Sequence, residues 1–375
     1  MARYLLTSFL LLAGAAASAA PAVTATSGTA ADNQEITVSG TGFGSNALRQ
    51  EFLGGTKIDS LANGARVDQQ GWANWSMMTP STATYPHVTT ERGWSNGKSI
   101  AFDTRGSTEY KQTLFYDTGS SGYNYLYTNG LIYLDHIDLI SGSYLQWKMM
   151  RWYKVADVLD HAQGLSGSYL SNRLASTGVF TGFNSSTQYV YWLDSQSGRT
   201  NLPGRRNWYR YETWLRMNSA PGTGNGTFRV KVTNPVTGQV VTDNTINNVM
   251  FNASGDTGNF RYLVVQNYFG NASDGGYSQA GNGQAVAFWD DLYISQTEAR
   301  VEVCDQATYA QCVNKEIQVP TTWADNRITV RLNKGNKSQV GAYLYVVDST
   351  GAVNTQGYRL GTSVAAMPAT GVQAQ

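Results

Sequence analysis

The chain has 375 residues, with 39 glycines, 23 tyrosines and 10 tryptophans, but only 14% of its residues are charged, against roughly 25% in an average globular protein. This composition disfavours coiled coils, long helical bundles and charge-driven disorder. A formal net charge of +1 lacks the basic excess of a protein that neutralises many phosphates, so nucleic acid is excluded as a partner.

The first 20 residues predict a secretory signal peptide. Arg3 precedes an apolar run from about Tyr4 to Gly14, and the small residues Ala17 to Ala19 supply a cleavage site. The run is shorter than the roughly 20 apolar residues that a membrane anchor needs. We therefore expect a secreted, periplasmic or cell-surface protein with no membrane-spanning segment in the mature chain.

Several segments alternate apolar and polar residues, as a half-buried β-strand does. Examples are EITVSG at 35–40, TFRVKVTN at 227–234 and RITVRLN at 327–333. The turn segment NPVTG at 234–238 separates two such runs. Repeated hairpins of this kind predict an all-β protein with antiparallel sheets.

Three stretches resemble the concanavalin-like β-jelly-roll of laminarinases, legume-type lectins and secreted polysaccharide lyases, above all those that cleave glucuronan and alginate. They are NWYRYETWLRMN at 207–218, GNGTFRVKVTNPVTGQVV at 224–241, and FRYLVVQNYFGN at 260–271 leading to AVAFWDDLYIS at 285–295. The resemblance implies a jelly-roll sandwich over residues 46–298. It implies the fold more strongly than any activity.

Other stretches resemble an IPT/TIG-type immunoglobulin-like module, namely DNQEITVSGTGFG at 32–44, WADNRITVRLNKG at 323–335 and GAYLYVVDSTGAV at 341–353. The resemblance implies a small Ig-like β-sandwich module at 299–361, followed by a disordered tail at 362–375. If residues 21–45 supply its first strand, the jelly roll is inserted into the module. The alternative is that this segment is the first strand of the jelly roll.

The two cysteines, Cys304 and Cys312, are predicted to form a local disulfide, because an exported protein resides where disulfides persist. Ligation of a metal by this pair is a weaker alternative, since the spacing is not that of a thiolate zinc site.

Candidate catalytic residues follow from the chemistry of a polysaccharide lyase. Such an enzyme must neutralise a uronate carboxylate, remove the neighbouring proton and protonate the leaving oxygen. If Lys148, Arg210 and Gln266 came together in one concave sheet, they could bind the carboxylate, while Tyr262 or Tyr268 carried the proton. Substrate-binding residues are expected on the same strand faces, at Tyr144, Gln146, Trp208, Glu212 and Trp214.

A structural Ca²⁺ is expected from the resemblance. In related jelly rolls a late aspartate joins a carboxylate of the first strand around this ion, which takes 6–8 oxygen ligands. Glu51, Asp290 and Asp291 occupy the similar positions here. The alternative is that these acids face solvent.

Three functions remain open on the sequence. The first is recognition of a polysaccharide by an exported carbohydrate-binding protein, because pyranose rings stack on tyrosine and tryptophan. The second is cleavage of an acidic, uronate-containing glycan by β-elimination. The third is a structural or adhesive role at the cell surface.

Overall fold

The prediction of an all-β protein is confirmed. The computed structural model describes residues 20–76, 85–94, 97–103, 111–137, 147–154, 169–174, 179–183, 186–190, 206–252, 254–255, 258–269, 285–333, 335 and 341–361. These residues form antiparallel sheets and one short α-helix, α1 (Gly55–Asp59). No helix in these ranges is long and apolar enough to cross a membrane. The predicted cleavage region up to residue 19 and the tail at 362–375 lie outside the described residues.

The strands form three sheets. Sheet I has the order β15-β14-β13-β8-β17-β6-β5, with β3 paired to β17; its strands are β3 (Gln50–Leu53), β5 (His87–Thr89), β6 (Ser99–Asp103), β8 (Tyr125–Ile137), β13 (Trp208–Arg216), β14 (Gly226–Thr233), β15 (Val240–Val249) and β17 (Ala285–Ser295). Sheet II has the order β12-β11-β10-β9-β16-β7-β4; its strands are β4 (Trp75–Ser76), β7 (Lys111–Asp117), β9 (Trp147–Lys154), β10 (Tyr169–Leu174), β11 (Val179–Phe183), β12 (Ser186–Val190) and β16 (Phe260–Phe269). Sheet III has the order β1-β2-β20-β19-β18-β21-β22; its strands are β1 (Ala22–Gly28), β2 (Glu35–Thr41), β18 (Arg300–Cys304), β19 (Lys315–Ala324), β20 (Arg327–Arg331), β21 (Tyr343–Val347) and β22 (Tyr358–Arg359).

Sheets I and II pack face to face in a jelly-roll-like sandwich. Every second residue of a strand points to the same face, so β13 contributes Tyr211 and Leu215 to the core between the sheets, and β9 contributes Met150 and Trp152. The Trp152 and Phe228 rings meet edge to face with centroids 5.9 Å apart, which joins the two sheets directly. The alternation visible in the sequence therefore corresponds to real core positions.

Sheet III combines the two ends of the chain. Strand β2 pairs with β20 from Glu35 opposite Arg331 to Ser39 opposite Arg327. The segment at 32–44 thus contributes its strand to sheet III rather than to the sandwich. The sheet curls so that β1 contacts β21 and β22, and it has a core of its own, which includes Ile36, Val38, Val301, Val303, Ile328, Val330, Leu344 and Val346. Its assignment to the IPT/TIG type stays a prediction. The predicted disulfide between Cys304 and Cys312 is formed at the end of β18.

Sheet III lies against the outer face of sheet I. Tyr127 and Tyr293 of sheet I form a buried cluster with Ile317 of β19, and the rings of the two tyrosines lie 6.2 Å apart. The layers are therefore sheet II, sheet I and sheet III in that order. As a result, residues on the outer face of sheet I are buried in an interface, whereas the outer face of sheet II is on the far side of the sandwich.

Candidate functional site

The predicted catalytic residues lie on two different sheets. Lys148 is on β9 and Gln266 on β16, both in sheet II, but Arg210 is on β13 in sheet I. The expectation that these three residues share one concave sheet is therefore wrong. The reason is topological, because alternation fixes the face of a strand but not the sheet to which the strand belongs.

Arg210 lies in the interface between sheets I and III. Its guanidinium donates to the Oδ1 atoms of Asn129 (3.0 Å) and Asn314 (3.2 Å) and lies 3.5 Å from the Glu316 carboxylate. Glu316 also accepts a hydrogen bond of 2.8 Å from the Trp94 indole. Both charged side chains are almost fully buried. Arg210 is thus held between two sheets as part of a structural contact.

Glu212 lies in the same interface, two residues further along β13. It accepts a hydrogen bond of 2.8 Å from the Tyr127 hydroxyl, and the Arg300 guanidinium covers the Tyr127 ring at 4.7 Å. Arg300 in turn pairs with Glu302 at 2.6 Å. The Arg300 guanidinium is the main reason why the pKa of buried Glu302 is lowered to about 2, since burial alone would raise it. Glu212 therefore belongs to a buried charged network and does not face solvent.

Both tryptophans predicted to bind sugar pack against other aromatic side chains. Trp208 lies 6.0 Å from Trp94 and 5.5 Å from Tyr133. Trp214 lies 5.3 Å from Tyr127, and Arg229 covers its ring at 4.6 Å. These contacts place both indoles in the packing of sheet I. Tyr144 and Gln146, the other two expected binding residues, lie outside the described residues.

The remaining predicted residues lie on sheet II. Strand β16 pairs with β7 without a break from Tyr262 opposite Asp117 to Tyr268 opposite Lys111. Val264 lies outside the main core, in a small cluster with Phe115 and Tyr153. Regular pairing therefore places positions 262, 264, 266 and 268 on the outer face of sheet II, opposite the core residues Leu263 and Val265.

An irregularity in β9 changes the register position of residue 148. Met150 and Trp152 are core residues, so an unbroken strand would put Lys148 in the core as well. Both neighbours of β9 change register between Arg151 and Lys148. Past this shift Lys148 is the register partner of Tyr268, and register partners share a face of the sheet.

Four positions line up across this part of sheet II. Tyr268 on β16 is paired with Lys111 of β7 on one side and with Lys148 of β9 on the other. Lys148 is paired in turn with Arg173 of β10. At about 4.8 Å per strand, this cross-strand row spans roughly 14 Å. We call Lys111, Tyr268, Lys148 and Arg173 the cationic row, because it holds three basic residues and no acidic one.

Tyr262 lies six residues from Tyr268 along β16, which is about 20 Å in a strand. The Arg261 guanidinium covers its ring at 4.7 Å and binds Asp117 through two hydrogen bonds of 3.1 Å. Burial and the Asp117 charge raise the pKa of Tyr262, although Arg261 lowers it. Tyr262 and Tyr268 therefore cannot act on the same glycosidic bond, and Tyr262 stays protonated at neutral pH.

Sequence reasoning missed Lys111, Arg173, Arg151 and Tyr153. Arg151 is buried on sheet II and donates a hydrogen bond of 3.2 Å to the Tyr153 hydroxyl. These two residues alternate with the apolar Met150, which is the signal that they lie opposite the core. Lys111 and Arg173 carry no local signal, because only the pairing of distant strands brings them beside the other members of the row.

The three acids expected to bind Ca²⁺ are already engaged by nitrogen donors. Asp290 accepts from the Trp94 amide (3.0 Å) and from the Asp291 amide (2.8 Å). Asp291 accepts from the Gly55 amide (3.1 Å) and the Asn333 side chain (2.9 Å), and Glu51 pairs with Lys57. Within the described ranges no three acidic, histidine or cysteine residues are grouped as a metal centre. These carboxylates are occupied by nitrogen partners, and Ca²⁺ stays an untested prediction.

Asp290 and Asp291 are buried next to each other. Burial, followed by the Asp291 charge, raises the pKa of Asp290 well above its ordinary value. Burial and the Glu316 charge raise the pKa of Asp291 to about 7, against the opposing effects of the Asn333 hydrogen bond and Arg210. The Asp290 and Asp291 carboxyl groups therefore keep their protons up to a higher pH than exposed carboxyl groups do.

Comparisons with known proteins give only distant likenesses. No family model matches the chain, and no curated protein matches it. Among solved structures, the endo-β-1,4-glucuronan lyase of the fungus Trichoderma reesei is 12% identical at a TM-score of 0.40, over 63% of this chain and 95% of that chain. The PL-14 alginate lyase of Aplysia kurodai is 11% identical at a TM-score of 0.36, over 55% and 85%. The alginate lyase vAL-1 of a Chlorella virus is 11% identical at 0.34, over 62% and 91%. Likenesses at this level assign neither a family nor an activity.

Replacement of Arg210 tests the buried contact. Arg210→Met leaves Glu316 and the neighbouring aspartates buried without their guanidinium, so we expect a loss of about 3–5 kcal/mol of unfolding free energy. Urea denaturation measures this loss. The matched control is Arg216→Met, at the exposed end of the same strand, which should change stability by no more than about 0.5 kcal/mol. Equal midpoints for the two variants would contradict the assignment.

The pH dependence of stability tests Asp291. The folded chain holds this proton up to pH about 7, whereas the ordinary pKa is 3.8. Between these values the folded state binds more protons than the unfolded state, so the site's contribution to stability falls as pH rises. Asp291→Asn should flatten this part of a urea-unfolding series between pH 4 and 7, and the exposed control Asp325→Asn should not. The same slope in both variants would show that Asp291 does not titrate there.

Proposed function

We propose that the chain binds an acidic, uronate-containing polysaccharide across the outer face of sheet II and cleaves it by β-elimination. The observation that carries the proposal is the cationic row. Lys111, Lys148 and Arg173 occupy paired positions on three strands around Tyr268. A row of this kind matches the repeating carboxylates of a uronate chain that lies across the strands.

The energetics of the sheet favour the same interpretation. Like charges directly opposite each other destabilise an antiparallel pair, and Lys148 is directly opposite Arg173. A polyanion that binds there offsets this repulsion. The overall charge of the chain is close to zero, so the positive charge of the row is a local feature rather than a consequence of a basic protein.

Tyr268 supports cleavage in addition to binding. A tyrosine side chain can carry a proton, because the phenol donates one and the phenolate accepts one. In β-elimination, the carboxylate is neutralised by a cation and the proton on the adjacent carbon is removed. The C–O bond to the next sugar breaks, a C=C bond forms, and the leaving oxygen takes up a proton. Nothing is oxidised or reduced and no water is consumed, so the row needs no cofactor for this step.

The predicted signal peptide fits this assignment, because polysaccharides of this kind occur outside the cell. Simple recognition without cleavage is the second candidate. It is favoured by the basic members of the row, which suffice for binding even if Tyr268 does not transfer a proton.

Tyr268→Phe separates cleavage from binding. We expect cleavage of uronate polymers such as glucuronan, alginate and polygalacturonate to fall by about 10²–10⁴-fold, because a positioned proton-transfer group contributes that much. The assay is the ultraviolet absorbance of the unsaturated uronate product. Affinity electrophoresis on the same polymers should show unchanged retention. The matched control is Tyr262→Phe, on the same strand and face but outside the row, and it should keep full activity.

The outcomes discriminate between the two candidates. Retention without cleavage by the wild type leaves recognition and overturns the lyase proposal. Loss of activity in Tyr262→Phe but not in Tyr268→Phe would remove the row from the mechanism. Unchanged retention of Lys148→Ala and Lys111→Ala at low salt, where charge attraction is strongest, would overturn both candidates.

A further inference from the structure

A concave surface separate from the cationic row lies beside sheet III. It is a cleft of about 750 Å³ between sheet III and the first part of the sandwich. Strand β3 and helix α1 form one wall, and strands β19 and β20 with the turn at 32–33 form the other. Its volume is within the roughly 300–1,000 Å³ of small-molecule sites.

Hydrogen bonds link the two walls of the cleft and fix the distance between them. Asp291 accepts a hydrogen bond from Gly55 on one wall and another from Asn333 on the other. Gln50 of β3 donates to the Pro320 carbonyl of β19 at 2.7 Å and is itself held by the Tyr293 hydroxyl at 2.8 Å. Because these links join the two walls directly, binding would require little ordering of the walls.

The polar groups of the cleft are balanced in charge. Lys57 of α1 pairs with Glu51 and covers the Trp72 ring at 4.5 Å. On the other wall, Arg331 pairs with Glu35 at 3.4 Å. Each cation thus has a carboxylate beside it, so the cleft lacks the single-sign field that concentrates a polyanion.

The paired cations and carboxylates of the cleft are suited to bind the hydroxyl groups of a sugar. A hydroxyl both donates and accepts hydrogen bonds, so neighbouring hydroxyls of one ring suit a cation beside a carboxylate or amide. Thr56 donates to the Asn33 Oδ1 atom across the cleft at 3.2 Å, which adds an amide and a hydroxyl to the same surface. Phe52 and Leu332 also line the cleft, and apolar side chains of this kind accommodate the C–H face of a sugar ring.

We propose that this cleft binds a short neutral oligosaccharide and so gives the chain a second glycan site. The site does not depend on the proposed lyase activity. The residues that line the cleft do not include any member of the cationic row, so the two sites can be occupied at once.

Isothermal titration calorimetry on the full chain tests the cleft. The probes are the uncharged tetrasaccharides of β-1,4-glucose, β-1,3-glucose, β-1,4-xylose and β-1,4-mannose. We expect at least one to bind, and Arg331→Ala to weaken its affinity by about tenfold or more, because a hydrogen bond to a charged group has this strength. The matched control is Arg327→Ala, an exposed arginine on the same strand that does not line the cleft.

A blocking variant and a second probe complete the test. Thr321→Trp should abolish binding by filling the cleft from an exposed position, while Lys148→Ala should leave it unchanged. The proposal is overturned if no neutral probe binds at millimolar concentration, or if Arg327→Ala and Arg331→Ala weaken binding equally. It is also overturned if tetraglucuronate binds in an Arg331-dependent manner and the neutral probes do not. None of these results bears on cleavage at Tyr268.

Discussion

The buried contact between Arg210 and Glu316 holds sheet III against the outer face of sheet I, and so decides which face of the sandwich is covered. It joins sheet I to sheet III through side chains that are almost fully buried. Charges removed from water need partners and hydrogen bonds in return, and the interface supplies them from Asn129, Asn314 and Trp94. One face of the sandwich is therefore committed to this interface, and the cleft lies beside it.

The interface is unusual in carrying so many charged groups. Arg300 and Glu302 pair within it, and Lys315 covers the Tyr309 ring at 3.8 Å. Buried ion pairs contribute less to stability than their number suggests, because desolvation opposes the attraction. Ion pairs require specific distances and angles, however, so these pairs specify one orientation of sheet III on the sandwich.

The sequence predicted the fold class and much of the strand detail. Alternation separates the two faces of β13 and β16, because β13 pairs without a break with β8 and β14, and β16 pairs without a break with β7. Alternation alone would group position 148 with Met150 and Trp152, but a change of register in β9 separates them. Alternation could not assemble the cationic row either, because Lys111 and Arg173 become neighbours of the other members only through pairing between strands distant in sequence. The burial of Glu212 was missed for the same reason, since sheet III covers it.

Both ends of the chain contribute strands to sheet III, and this affects the order in which the strands can pair during synthesis. Glu35 of β2 and its partner Arg331 are 296 residues apart in sequence. At the roughly 5–20 residues per second of protein synthesis, the β1–β2 hairpin waits on the order of 15–60 s before β20 exists. Throughout that time β2 has an open edge, which other strands can join. The exposed Glu35 and the polar residues that surround it in β2 limit such pairing until β20 has been made.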